Sequence, residues 1–443
     1  MKSKALRAAA LLMFALAASG CSIFNKGPKK TPVLGNRVAV LTGETGAEVD
    51  PALAAVPMTL PAAVQNSEWA QPGGNAPKAM GHLSLGNTLA RAFSVSIGQG
   101  TSLQARLAAA PVVAAGRVFT IDTTASVRAF DAQTGAQVWQ TRFGVDKGNE
   151  ASLYGGGLAY DSGRIYATNG LGYVAAIHAG TGALVWQVRP GGPLRGSPSA
   201  AYDSVFVMSQ DNQVYSLRAT NGETIWSAAA SLEIAGVFGT ASPAVAQGTV
   251  VAGFSSGELN ALRYENGRAL WQDTLSRTSI TTTSVSSLSD IDAHPVIDNG
   301  QVFAVGQGGR MVALELLSGQ RLWEINVAGI STPWVASDWV FVVTDEAKLI
   351  AVARNTGRVR WITQLPRFRN EKAKRGQITY VGPVLAGNRL IVANSSGALV
   401  EVDPTSGAPR SQISIGKGVS LSPVVANATL YILDDDGRLH AFR

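Results

Sequence analysis

A single cysteine stands among the 443 residues, at position 21. That scarcity excludes a disulfide framework and any multi-cysteine zinc or iron–sulfur centre. Histidine is nearly as scarce. His82, His178, His294 and His440 show no metal-ligand spacing and read as polar residues at turns and strand ends. Charged side chains make up 15% of the chain, against roughly 25% in an ordinary soluble domain. No Gly-rich phosphate loop follows a strand and opens a helix, and no G-x-S-x-G elbow occurs. What the chain has instead is 46% hydrophobic residues, enough to exclude disorder throughout, and 48 glycines. Low charge with abundant glycine reads as a sheet protein full of tight turns.

The N-terminus is an export signal. Lys2, Lys4 and Arg7 precede an eleven-residue apolar run, Ala8 to Ala18. Spanning a bilayer takes about 20 residues, so the run is a signal peptide over residues 1–20. Its removal takes away three positive charges and lowers the formal net charge from +7 to +4, which is no nucleic-acid footprint. Cys21 follows Ala18-Ser19-Gly20 and resembles the lipobox cysteine of bacterial lipoproteins, with Ala18 where that family prefers Leu. The resemblance implies lipidation of Cys21, and Ser22 in place of Asp implies sorting to the outer membrane. Residues 21–60, aperiodic and rich in Pro, Gly, Ala and Thr, are expected to be a tether.

Beyond them an internal repeat governs the chain. Trp139, Trp186, Trp226, Trp271, Trp323 and Trp361 each lie four residues after a Gly, in TGAQVW, TGALVW, NGETIW, NGRALW, SGQRLW and TGRVRW. A seventh copy, SGAPRS, carries Ser411 at the Trp position. Each Trp position lies 28 residues after a landmark: Pro111, Leu158, Pro198, Pro243, Pro295, Pro333 or Pro383. An eighth copy begins at Pro423 and stops at Arg443, short of its last strand. Within a copy, apolar residues alternate with period two in short runs separated by turn residues, so each copy predicts four short strands. The fold expected is all-β, an eight-bladed β-propeller of four-stranded blades over residues 89–443. The N-terminal run Leu89 to Ile97 is expected to close the ring as the missing strand, with Phe93 in place of the missing Trp. Residues 61–88, with Trp69 and Pro72-Gly-Gly, have no place in the repeat and are either an arm on the ring or the end of the tether.

The TG-x-x-x-W ending resembles the tryptophan-docking repeat of the pyrroloquinoline-quinone (PQQ) propeller superfamily, over about residues 89–443. One branch holds PQQ-dependent dehydrogenases, which use vicinal cysteines beside the quinone. That pair is absent here, so the reading assigns no cofactor, no metal and no catalytic residue. The dehydrogenase-like enzyme is the alternative reading, and a propeller binding cell-wall polysaccharide a weaker one. The other branch is the BamB family of outer-membrane lipoproteins. Pro193-Leu-Arg-Gly-Ser-Pro198 resembles that family's Leu-Arg-Gly loop, with Ser197 where the family has an acidic residue. Ser289-Asp-Ile-Asp-Ala-His-Pro295 looks like its Asp-hydrophobic-Asp loop. The resemblance implies a non-enzymatic scaffold of the β-barrel assembly complex, lipid-anchored at the periplasmic face of the outer membrane. It implies docking of the barrel-forming subunit BamA through its periplasmic domains, aid to unfolded outer-membrane protein clients, and no nucleic acid. By position the contacts are Leu194, Arg195, Asp290 and Asp292. Chemically, an exposed Leu fills a pocket and Arg offers a planar fork of donors. The Asp pair either accepts from the partner or caps its own loop. Arg358 to Arg375 carries seven cations and one acid, Glu371, and reads as a solvated loop or as a surface for anionic headgroups or an acidic partner.

Overall fold

The computed structural model describes residues 47–194, 196–232, 241–275 and 289–443. They form eight four-stranded antiparallel sheets and one two-stranded hairpin, so the expected eight-bladed propeller is the observed fold. Blade 1 consists of Val112–Ala114, Arg117–Ile121, Ser126–Asp131 and Gln137–Arg142, hydrogen-bonded in chain order. Blades 2 to 7 repeat the plan over residues 158–188, 199–229, 244–274, 296–325, 334–364 and 380–414. The first strand of each blade is buried and packs against the first strands of its neighbours, while the last is largely exposed. That gradient follows from sequence: the inner strands are near-continuous Val, Ala and Ile runs, and the outer ones alternate.

Each repeat Trp joins its own blade to the next. The Trp139 indole N–H donates to Ala179 O at 2.9 Å, Trp226 to Tyr264 O at 2.7 Å, and Trp361 to Pro404 O at 3.0 Å. The ring lies on the next blade's turn glycine. Gly182 has φ +75°, and a Cβ there would stand 2.7 Å from Trp139 Cδ2, so both the turn and the close approach require glycine. Inside the blade the Trp sits in a row with a small residue and, in four blades, a Phe. Trp139 pairs across the sheet with Ala129, which pairs with Phe119, and the Phe119 and Trp139 rings lie 5.8 Å apart.

Blade 8 is completed from the other end of the chain, as expected. Arg91–Ser96 pairs antiparallel with Arg438–Phe442, outside Thr429–Leu433 and Val424–Ala426. Phe93 lies against Gly135 of blade 1, where the other blades place an indole. Phenylalanine has no N–H to give. The carbonyl it leaves over, Ala132 O, accepts from Arg443 Nη2 at 2.7 Å and from Tyr431 Oη at 3.2 Å.

Residues 61–88 form an arm that makes a full circuit of the inner strands. Asn66 O accepts from Asn427 of blade 8, and Trp69 exchanges both backbone bonds with Val113 of blade 1 (2.7 and 2.9 Å). Ala70 O then meets Tyr160, the Gln71 amide brackets Ala200, Ala76 O meets Val245, and Pro77 O meets Ile297. Gly81 O accepts from the Trp334 indole, and Leu83 pairs with blade 7. An innermost strand has a free edge by construction, and the arm supplies hydrogen-bond partners along that edge in all eight blades. Residues 47–60, expected to be tether, also lie on the propeller. Val49 pairs in parallel with Val359 on the outer edge of blade 6, and Arg360 Nη1 donates to Leu53 O at 2.6 Å. One bridge on an edge needs no periodicity, which is why the sequence shows none there.

Candidate partner-docking end of the ring

The two loops singled out in the sequence are connectors from one blade's outer strand to the next blade's inner strand, so both lie at one end of the ring. Ser197 of the first and Asp292 of the second line the same central cavity. The side chains, however, point inward. Leu194 makes an antiparallel bridge with Ser209, and its side chain is 0% exposed among Tyr166, Val174, Val205 and Val207. The expected exposed leucine is therefore corrected: an apolar side chain beside a bridging backbone is drawn into the seam between blades 2 and 3. Leu194→Ala is expected to cost about 2–5 kcal/mol of unfolding free energy, read by chemical denaturation, as for other buried Leu. Arg195 lies outside the described residues, as does Cys21.

Asp290 and Asp292 are buried as well, which favours the loop-holding alternative over contact through exposed carboxylates. Gln307, in the turn between the second and third strands of blade 5, grips both. Its N–H donates to Asp290 O at 2.9 Å and its side-chain amide to Asp292 Oδ2 at 2.6 Å. Between them Ile291 fits against Gly253 of blade 4, where a Cβ would stand 2.4 Å from Ile291 Cγ2. The acidic–hydrophobic–acidic pattern is thus a clip between blades 4 and 5.

Among the cations from Arg358 to Arg375, two hold the N-terminal segment: Arg358 pairs with Asp50, and Arg360 binds Leu53 O and Val56 O and covers Trp339. The rest belong to an exposed hairpin, Phe368–Asn370 with Arg375–Gln377, in the connector between blades 6 and 7. Glu371, its one acid, caps the Arg367 and Phe368 N–H groups within the hairpin. Lys372, Lys374 and Arg375 are exposed and form no ion pair among the described residues.

Two titratable groups at this end received no functional role from the sequence. Lys78, from the arm, is 2% exposed, and burial lowers its pKa to about 7. Burial, then the nearby Lys78 charge, lowers His294 to about 3. Neither carries a sequence signal, because each depends on which distant strands surround it. Among the described residues no group of three His, Cys, Asp or Glu is arranged to hold a metal ion.

Comparison with known proteins follows the same lines. The protein from Yersinia pestis named outer membrane protein assembly factor BamB is 27% identical over 330 residues, 73% of this chain and 81% of its own length. Its Burkholderia pseudomallei namesake is 26% identical over 359 residues, 79% and 87%. The crystal structure of BamB from Moraxella catarrhalis superimposes with a TM-score of 0.67 at 19% identity, covering 80% of this chain and all of that one. A quinohemoprotein alcohol dehydrogenase from Comamonas testosteroni reaches 0.65 at 13% identity, covering 86% and 81%. Both likenesses speak to the fold alone. The family model described as outer membrane protein assembly factor BamB matches residues 100–143, 123–363 and 366–443, so this chain belongs to the BamB family.

Proposed function

We propose that the protein is a non-catalytic scaffold of the outer-membrane β-barrel assembly machinery. The observation that carries this reading is the family match, which spans the propeller from residue 100 to the C-terminus. In this reading Cys21 is lipidated and holds the chain at the periplasmic face of the outer membrane. The ring docks the barrel-forming subunit BamA, through that subunit's periplasmic domains, at the end that carries loops 193–198 and 289–294. Leu194, Asp290 and Asp292 act there as inward anchors that fix the loop backbones, and Arg195 supplies the contact. Rigidity suits the task, since a docking surface already in its bound shape loses less entropy on binding.

The outer strands offer a place for client chains. Val138, Val185, Ile225 and Leu322 each precede a repeat Trp and are 38–47% exposed, while Arg360 and Arg410 take that position in blades 6 and 7. The bridge between Val49 and Val359 shows that a blade edge accepts an extended segment.

The test is affinity purification of the full-length lipidated protein from outer membranes in mild detergent, with mass spectrometry of the co-purifying chains. Recovery of a barrel protein with periplasmic repeat domains is expected, and Arg195→Ala is expected to reduce that recovery at unchanged melting temperature. Undiminished recovery removes Arg195 from the interface, and no barrel partner at all removes the scaffold reading.

A further inference from the structure

The central channel opens at the end described above into a cavity of about 310 Å³. Its floor is the arm, through Trp69, Pro72, Gly73 and Lys78, and its walls are the segments that lead into the inner strands. The volume is at the small end of ligand pockets, room for a small molecule and not for a polypeptide strand. Much of the wall is carbon. Trp69 and Trp334 stack with ring centres 6.1 Å apart, and Leu421 and Ile330 line the cavity beside them.

Two polar groups of this cavity, Lys78 and His294, have donor capacity to spare. Lys78 Nζ donates to Ser199 Oγ at 2.9 Å, and that hydroxyl passes its own proton to Pro243 O at 2.6 Å. An ammonium has three N–H bonds. Among the described residues the other two meet no acceptor, and no carboxylate lies within ion-pair distance of Nζ. His294 Nδ1 accepts from the Ser242 N–H at 2.9 Å, so the neutral ring carries its proton on Nε2. Among the described residues Nε2 meets no acceptor either. Asp292, the one carboxylate lining the cavity among the described residues, is held by Gln307. Arg106 stands exposed at the rim, without an ion pair among the described residues.

We propose that this cavity is a binding site for a small monocarboxylate with an apolar body, its carboxylate held by Lys78 and the His294 Nε2–H and its body by the Trp69–Trp334 wall. One cation and one neutral donor match the two oxygens of a single carboxylate. A phosphate, with more charge and more acceptors, would leave oxygens unmet in a largely apolar cavity. Lys78 belongs to the arm, which lies before the first residue of the family match. The site rests on the cavity's own geometry and stands independently of the docking reading.

Lys78 sets the pH dependence, because burial brings its pKa down to about 7, into the neutral range. His294 stays neutral there because its pKa is about 3, and the other charged side chains lining the cavity are Asp292, bonded to Gln307, and Arg106. With the Lys78 pKa at about 7, carboxylate affinity falls as pH rises through neutrality and the ammonium is lost. The probe is benzoate, titrated calorimetrically into the full chain, with benzyl alcohol and inorganic phosphate as comparators. Saturable benzoate binding with a Kd of about 1 mM or tighter is expected, roughly tenfold weaker for benzyl alcohol. Raising the pH from about 6 to about 9 is expected to weaken benzoate roughly tenfold and leave benzyl alcohol unchanged. In Lys78→Met the preference for benzoate over the alcohol disappears. The wild-type pH series decides the matter by itself should that variant not fold. No saturable benzoate binding, equal binding of benzoate and benzyl alcohol, or tighter binding of phosphate overturns the proposal.

Discussion

A chain beginning at Gly98 is expected to lose its cooperative melt and to self-associate beyond the full-length protein. Two separate losses produce this result. Blade 8 forfeits its outer strand, in which Phe93 pairs with Ala441 and Val95 with Leu439, and exposes the whole edge of Arg438–Phe442. Such an edge is a template for another chain. The circuit of the arm goes as well, leaving the inner-strand amides of blades 1, 2, 4 and 5 without their acceptors, at about 1–3 kcal/mol for each buried group left unsatisfied. Together these amides come to about 4–12 kcal/mol, on the scale of the 5–15 kcal/mol that holds a typical domain together, and the lost strand adds to it, so the outcome is loss of the fold. Differential scanning calorimetry with light scattering reads both signs at once. Phe93→Ala separates the two contributions, because it leaves strand and arm in place. It is expected to cost about 2 kcal/mol, below the range for a fully buried Phe, since Phe93 is only half-buried. An unchanged melt for the truncated chain would mean that three strands suffice in blade 8 and that the ring is not closed by Arg91–Ser96.

The ring was legible because its signals are local and repeated. A Gly four residues before a Trp states a turn and a contact at once, and the constant 28-residue spacing from the landmark counts the blades. The closing strand was legible for a related reason, since Phe93 stands at a spacing that the other copies define. The arm could not be found that way. Its residues bond to eight different blades, only a few groups to each, so nothing in 61–88 repeats and nothing alternates. The site loops show the limit most clearly. Leu194, Asp290 and Asp292 were picked out by resemblance, but only the packed blades reveal that the leucine fills a seam and that Gln307 engages both aspartates. A motif names the loop; the direction of a side chain depends on strands a hundred residues away.

The irregular seventh copy follows from the same geometry and yields the other large effect. In blades 1 to 6 the Trp on the outer strand pairs with a small residue on the strand inside it: Ala129, Ala176, Ser216, Ala261, Ala313 or Ala351. In blade 7 the sizes are exchanged, and Ser411 pairs with Glu401. The reason lies in the neighbour. Blade 8 takes its outer strand from the N-terminus, so no turn joins its third and fourth strands, and the carbonyl at that place, Arg443 O, already accepts from the Ala90 N–H at 2.8 Å. The chain leading to Arg91 passes that place instead. Arg389, 4% exposed in its side chain, donates from Nε to Glu401 Oε1 at 2.7 Å and from Nη2 to Gly86 O at 2.7 Å, while Ser411 donates to the other oxygen of Glu401. Arg389→Met is therefore expected to cost about 3–5 kcal/mol, because it strands a buried carboxylate. Arg389→Met combined with Glu401→Leu is expected to regain most of that loss, since an apolar pair of similar volume leaves no charge to solvate. Ser411→Trp alone is expected to destabilise, as the indole meets Glu401 where every other blade offers a small side chain. Denaturant unfolding of the three variants tests the scheme. A single substitution at Arg389 that costs under about 1 kcal/mol would show the pair to be solvated in solution and not the core of the blade 7 joint.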